Sequence, residues 1–168
     1  MPPTIQLLDD EAVTFEEAKG LDLNVIQHHG QVALLKKLYG RLWTNRETIA
    51  TIIKQQLGLE NEALCHVALP RLWIRGGFNV CIPVEVKSRP FNKTVIMRCP
   101  MPFKLAESSY PGAVDEKLRA EVGAYAWLQE NCPDIRIPQL YGFSISDHHV
   151  WIPYLFFPST TNLVAVYP

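Results

Sequence analysis

The most informative segment of this chain reads Leu72-Trp-Ile-Arg-Gly-Gly-Phe-Asn-Val-Cys-Ile-Pro-Val-Glu-Val86 and, after a short polar loop, Lys93-Thr-Val-Ile-Met-Arg-Cys-Pro100. Apolar residues dominate both parts, and Gly76-Gly77 lies where two apolar runs meet. Because glycine tolerates positive φ, we expect this pair to close a hairpin. The segment therefore predicts three consecutive strands, the last of which ends at Pro100.

Two charged residues lie in apolar surroundings and need partners. Arg98 stands late in the third predicted strand, and Glu121 lies three residues after Leu118 and four before Tyr125, on the apolar face of a predicted helix. A cation on the sheet and an anion on the covering helix can pair across the two layers. Alternatively, Glu121 pairs with Lys117 one turn back, and Arg98 reaches water at the sheet edge. The residues alone leave both pairings open.

Composition narrows the class of protein. A chain of 168 residues that is 48% hydrophobic can form one domain with a substantial core. A net charge of -1 does not indicate binding to nucleic acid or to an anionic membrane. No apolar run is long enough for a spanning helix, and the amino terminus lacks the pattern of a signal peptide. We therefore expect a cytoplasmic protein without a metal site, whose four cysteines are reduced thiols.

Further helices and strands are predicted on either side of the central segment. The predicted helices are residues 21–39, ended by Gly40; a helix begun by the capping box Thr44-Asn45-Arg46-Glu47 and ended by Gly58; and a helix capped near Asp115 and ended at Asn131. The further predicted strands are an edge strand at residues 65–69 and two later strands at residues 139–145 and 150–157.

Four segments together resemble a known family. They are Trp73-Ile-Arg-Gly-Gly-Phe-Asn-Val-Cys-Ile-Pro-Val84, Val95-Ile-Met-Arg-Cys-Pro100, Asp115-Glu-Lys-Leu-Arg-Ala-Glu-Val-Gly-Ala-Tyr-Ala-Trp-Leu-Gln-Glu-Asn-Cys-Pro-Asp134 and Ile137-Pro-Gln-Leu-Tyr-Gly-Phe143. In this order they are similar to the fungal branch of the aminoglycoside-phosphotransferase-like proteins, which are relatives of choline kinases and protein kinases. The resemblance covers roughly residues 34–146.

The resemblance implies an α+β fold, the small lobe of a kinase-like protein. We expect an antiparallel sheet of about five strands with a covering helix, preceded by one or two N-terminal helices. The lobe would span residues 29–158. Residues 1–28 would form a mobile N-terminal tail, and residues 159–168 a divergent C-terminal tail.

The resemblance also implies a nucleotide site, with ATP and Mg²⁺ as the ligand. Arg98 corresponds to the basic residue of the family that holds the α and β phosphates of the nucleotide. Glu121 corresponds to the helix glutamate that pairs with this cation and holds it in place. The turn that covers the nucleotide would consist of Gly76, Gly77, Phe78 and Asn79.

The sequence departs from the family in its second lobe. These 168 residues contain no His-Gly-Asp-like segment, and Asp147 precedes two histidines instead. We therefore expect a chain truncated near the hinge, a pseudoenzyme that binds nucleotide weakly and transfers no phosphate alone. Two alternatives stay open. One is an interaction module that binds a protein through its exposed inter-lobe face, including residues 150–157. The other is a phosphotransferase completed by a separate large lobe, so enzymatic activity is undecided.

Overall fold

The computed structural model describes residues 3–8, 11–60, 62–89 and 92–145, together with the backbone of residues 162–165. The chain divides into two compact units, Met1–Thr44 and Asn45–Pro168. The first contains β1 (Thr4–Gln6), β2 (Ala12–Thr14), α1 (Phe15–Lys19) and α2 (Val25–Thr44). The second contains α3 (Arg46–Gln56), β3 (Leu64–Val67), β4 (Ile74–Arg75), β5 (Asn79–Lys87), β6 (Asn92–Pro100), α4 (Ala113–Asn131), β7 (Gln139–Phe143) and β8 (Asn162–Ala165).

The first unit begins with a strand pair, in the segment (residues 1–28) over which the sequence predicted a mobile tail. Strands β1 and β2 pair antiparallel, with Ile5 opposite Val13. The side chain of Val13 is buried, and the ring nitrogen Nδ1 of His29 lies 3.0 Å from the carbonyl oxygen of Gln6. This contact joins α2 to β1 within the unit.

The helix α2 continues through Gly40, where the sequence predicted its end. Gly40 does not have the positive φ of a C-terminal cap, and the next turn buries Leu42. A glycine inside a helix costs only about 1 kcal/mol relative to alanine, which burial of a leucine can offset. The prediction that Gly40 ends this helix is therefore wrong.

The predicted capping box at Thr44 is also wrong. Thr44 is still part of α2, and α3 begins after Asn45 with no side-chain hydrogen bond at its cap. The same Ser/Thr-x-x-Glu pattern forms a capping box earlier, where Thr14 Oγ1 accepts from the Glu17 backbone N–H at 3.3 Å and the Glu17 carboxylate accepts from the Thr14 N–H at 2.8 Å.

The end of α3 agrees with the prediction. Gly58 has φ +61, and the N–H of Leu59 donates to the carbonyl oxygen of Lys54 at 2.9 Å. This is the arrangement in which a left-handed glycine satisfies the last carbonyl groups of a helix. The prediction that Gly58 ends the helix is confirmed.

The second unit contains one sheet with the strand order β3-β5-β6-β8-β7, and β4 also pairs with β5. Strands β3, β4, β5 and β6 are antiparallel, as predicted. The α+β class is confirmed, but a fully antiparallel sheet is not, because β8 pairs parallel with both β6 and β7. Parallel neighbours need a connection of about a dozen residues or more, and the chain between Phe143 and Asn162 is long enough. The strand predicted at residues 150–157 lies outside the described residues.

Alternation along β5 and β6 gives the sheet two distinct faces. The buried side chains of one face are Val80, Ile82, Val84, Val86, Val95, Met97 and Cys99. Helix α3 packs on β3 at this face, with Ile49 and Ile53 buried. The opposite face carries Cys81 and its cross-strand neighbour Arg98.

Helix α4 packs against β7 through a cluster in which buried Leu118 and Ile145 contact Val122 and Phe143. The cap was predicted at Asp115 or a neighbour, but Asp115 itself lies inside the helix. The cap is Gly112, with φ 94, and the Glu107 carboxylate accepts from the N–H groups of Gly112 and Val114, each at 2.7 Å. No helix among the described residues has the length and apolar character needed to cross a membrane.

Candidate functional site

The hairpin between β4 and β5 has Gly77 and Phe78 at its tip. The Gly76 N–H donates to the carbonyl oxygen of Asn79 at 2.8 Å, and the Met101 N–H donates to the carbonyl oxygen of Phe78 at 2.8 Å. Neither glycine has positive φ, so the hairpin closes without the conformation that we expected of them. Asn79 is buried at the first position of β5, whereas Phe78 is 52% exposed.

Glu121 lies between two cations, and both pairings left open by the sequence are present. Arg98 Nη2 lies 3.7 Å from Glu121 Oε1, which joins the sheet to α4. The same oxygen accepts a hydrogen bond from Lys117 Nζ, one helical turn back. The side chains of Arg98, Lys117 and Glu121 are 24%, 23% and 33% exposed, so solvent reaches each of them only in part.

Lys117 also connects this ion pair to the hairpin. Its Nζ lies 5.8 Å from the centroid of the Phe78 ring, within the range of a cation–π interaction. The contact places the hairpin tip, Lys117 and Glu121 in one cluster. From the sequence, Lys117 was expected only as a local partner of Glu121, because spacing along a helix carries no information about a hairpin far away in the chain.

The face of the sheet beside this cluster is partly accessible. Cys81 pairs across the strands with Arg98 on one side and with Ile74 on the other. Burial raises the pKa of the Cys81 thiol, while the positive charge of Arg98 acts in the opposite direction. Cys81, Ile74 and Arg98 therefore form a continuous row next to the hairpin tip.

A second pair of cations lies on the other side of the hairpin. Arg75 pairs with Val80, so it belongs to the opposite face of the sheet from Arg98. Burial and, to a smaller extent, the charge of Arg75 lower the pKa of Lys104. Positive charge thus flanks the hairpin on both faces, although the two cation pairs are separate.

We call Gly76, Gly77, Phe78, Arg98, Lys117 and Glu121 the hairpin cluster. Of the residues predicted from the family resemblance, Phe78, Arg98 and Glu121 are brought together, whereas Asn79 contributes its backbone to the hairpin. Within residues 3–8, 11–60, 62–89 and 92–145, no three His, Cys, Asp or Glu side chains are arranged to hold a metal ion.

Comparisons with protein-family models, curated proteins and solved structures found no match for this chain. The functional interpretation therefore rests on the residues and geometry of the hairpin cluster.

Proposed function

We propose that this chain contains the nucleotide-binding lobe of a kinase-like protein and that the hairpin cluster binds the phosphate groups of ATP. The observation that carries this proposal is the Arg98–Glu121 pair between β6 and α4, beside the glycine hairpin. In kinase-like proteins a strand cation held by a helix glutamate contacts the phosphates under such a turn.

The charges of the cluster favour an anionic ligand. One carboxylate faces two cations, so the three side chains of Arg98, Lys117 and Glu121 carry a net positive charge. A charge that is partly removed from water gains more from a counter-ion than an exposed one does. Phosphate groups beside the hairpin would supply the missing negative charge.

The cluster fits ATP better than it fits a resident metal ion. Glu121 is already engaged by two cations, which makes it a poor ligand for Mg²⁺. Mg²⁺ is commonly carried into such sites on the phosphates and retains several waters. Arg98 would contact the phosphates, while the Gly76–Asn79 hairpin would lie over them.

Phosphoryl transfer needs groups that these 168 residues do not supply. Catalysis of this kind depends on positioning and electrostatic stabilisation, including an aspartate that orients the acceptor and another that holds the metal. The sequence has no His-Gly-Asp-like segment to provide them. We therefore propose a lobe that binds nucleotide weakly and does not transfer phosphate by itself.

A titration of the purified chain with MgATP, followed by nuclear magnetic resonance, tests this function. We expect saturable shifts of the Gly76 and Gly77 amides, with a dissociation constant of about 1 mM, equivalent to about 4 kcal/mol of binding free energy. Replacing Arg98 by Met should abolish the shifts, because the strand cation would no longer contact the phosphates.

The matched control is Lys87→Met, which removes an exposed cation at the other end of β5. Its titration should follow that of the unmodified chain. Equal losses in both variants would show a non-specific charge effect and contradict the site. Release of phosphate by the pure chain would contradict the absence of catalysis.

An interaction module is a second candidate, supported by apolar side chains around the hairpin. Leu72, Ile74 and Phe78 are each more than half exposed. Exposed apolar residues that lie close together mark binding surfaces for other proteins. The surface expected at residues 150–157 lies outside the described residues. A chain that stays monodisperse and monomeric in size-exclusion chromatography at high concentration would argue against this candidate.

A further inference from the structure

Lys117 has a set of contacts that a local ion pair does not explain. It reaches both the Glu121 carboxylate and the ring of Phe78, and its side chain is only 23% exposed. A lysine that serves only to neutralise a helical neighbour can do so at the surface, where such pairs contribute little. Here Nζ pairs with Glu121 and also lies near the Phe78 ring at the hairpin tip.

Arg98 and Lys117 approach the same oxygen from different elements. Arg98 extends from β6 and Lys117 from α4, and both contact Glu121 Oε1. In the part of the chain that the structure describes, Glu121 is the carboxylate that pairs with these two cations. Two partly buried cations that share one carboxylate keep a net positive charge, which favours the binding of a further anion.

We infer that Arg98 and Lys117 together form a two-cation clamp for a polyphosphate group, in which Lys117 is a second phosphate-binding residue. This inference rests on the proposed nucleotide function and specifies its ligand class: a chain of adjacent phosphates in preference to a single one. Glu121 Oε1 contacts both cations, and Lys117 Nζ lies 5.8 Å from the centroid of the Phe78 ring at the hairpin tip.

Different phosphate ligands measure the preference for a chain of phosphates, and variants of Lys117 separate the clamp from the stronger general attraction of a more highly charged ligand. The chain is titrated with inorganic phosphate, tripolyphosphate and MgATP at constant ionic strength, with the Lys117 methylene and Gly76 amide signals as readouts. We expect tripolyphosphate to bind at least tenfold more tightly than phosphate, because a second charge-assisted contact contributes about one tenfold step or more. Equal affinities would contradict the clamp.

Variants of Lys117 test its role directly. Lys117→Met should weaken tripolyphosphate binding about tenfold, and Lys117→Arg should preserve it to within about threefold because the charge remains. The matched control is Arg119→Met, which removes an exposed cation from the same helix. The amide spectrum of each variant reports whether it is folded, and Lys117→Gln, which also removes the charge and should weaken binding to the same extent, tests the clamp if Lys117→Met does not fold.

The outcomes distinguish the clamp from the proposed function. If MgATP binds and Lys117→Met has the same affinity for tripolyphosphate as Arg119→Met, the clamp is contradicted and the nucleotide site is supported. If tripolyphosphate binds through Lys117 but MgATP does not bind, the clamp stands and the nucleotide function is wrong. Binding of neither ligand to the unmodified chain overturns both.

Discussion

Glu121 interacts with two cations, one on its own helix and one on the sheet. It accepts a hydrogen bond from Lys117 within α4, and it also attracts Arg98 on β6 at 3.7 Å. The first interaction is local to the helix, whereas the second depends on how α4 and the sheet pack. Because all three side chains are about one quarter to one third exposed, the energy of this group lies between that of a surface pair and a buried pair.

Replacing Glu121 by Gln should lower the free energy of unfolding by about 1–2 kcal/mol. Exposed ion pairs contribute about 0.2–1 kcal/mol, and breaking fully buried ones costs about 3–5 kcal/mol. Glutamine keeps the size of the side chain but leaves two cations without their carboxylate. Urea unfolding measures the loss.

Glu85→Gln is the control for this substitution. Glu85 pairs with Lys87 at 3.3 Å, and both side chains are more than half exposed. Its removal should change stability by less than about 0.5 kcal/mol. If both variants lost equal amounts, the Glu121 group would be no more than a surface ion pair.

Cys99 should make stability decrease in alkaline solution. The side chain is 1% exposed, and burial raises the pKa of its thiol from 9.0 to about 12. Well below pH 9 the thiol is protonated in both folded and unfolded chains. As the pH rises through the window between these two pKa values, only the unfolded chain ionises, so stability falls by up to about 1.4 kcal/mol per pH unit.

Urea unfolding of the unmodified chain and of Cys99→Ala at several alkaline pH values measures this contribution. The stability difference between the two proteins should change in this window, because the variant lacks the ionising thiol. A difference that stays constant with pH would show that the thiol ionises equally in both states, contrary to its burial.

At the scale of elements, the contact between α3 and β7 depends on a glycine. A β-bulge lies between Leu140 and Gly142, and a Cβ added at Gly142 would overlap the side chain of Gln56, the last residue of α3. The absence of a side chain thus lets the end of the helix approach the strand closely.

Gly142→Ala should destabilise the protein by about 0.5–1.5 kcal/mol, because the flexible Gln56 side chain must leave its preferred rotamer to make room. In a Gln56→Ala background the same change should cost less than about 0.5 kcal/mol, because the overlapping amide is gone. Thermal unfolding of the four proteins gives the coupling energy directly. Additive losses would show that Gln56 is not the obstacle.

Gly123→Ala is the corresponding control on a helix. No atom lies within 4 Å of the Cβ that would be added there, and the position is inside α4. Alanine should therefore stabilise the helix by about 0.5–1 kcal/mol. If Gly142→Ala lowers the free energy of unfolding and Gly123→Ala raises it, the effect at Gly142 is a steric one and does not come from the general preference for alanine over glycine.

At the scale of the whole molecule, stability should be distributed unevenly between the two units. The β5–β6 ladder pairs nine residues and has its buried face filled by valine, isoleucine and methionine. The β1–β2 ladder in the first unit pairs only three residues. Amides buried in long ladders open mainly through global unfolding, whereas short ones open locally.

Hydrogen exchange monitored residue by residue tests this distribution. The amides of Val84 and Val95 should exchange most slowly, and those of Ile5 and Val13 at least about tenfold faster, a difference of about 1.4 kcal/mol in opening free energy. Equal protection in both ladders would show that the two units open together and contradict the expected distribution.

The sequence alone was sufficient for features that depend on nearby residues. Apolar runs separated by a short polar loop predicted β5 and β6, and the position of Gly58 predicted the end of α3. These features are local because each residue's conformational preference and the burial of one face act within a few positions along the chain. Both candidate partners of Glu121 were also identified from the sequence, Arg98 as a charge within an apolar strand and Lys117 as the residue one helical turn back.

Only the tertiary structure decided how distant residues combine. It showed that Glu121 contacts Lys117 and Arg98 together, that Lys117 reaches Phe78, and that Glu107 caps α4 from outside the helix. It also placed β8 parallel to its neighbours. Such contacts depend on the packing of whole elements in three dimensions, which the spacing of residues along one strand or helix does not specify.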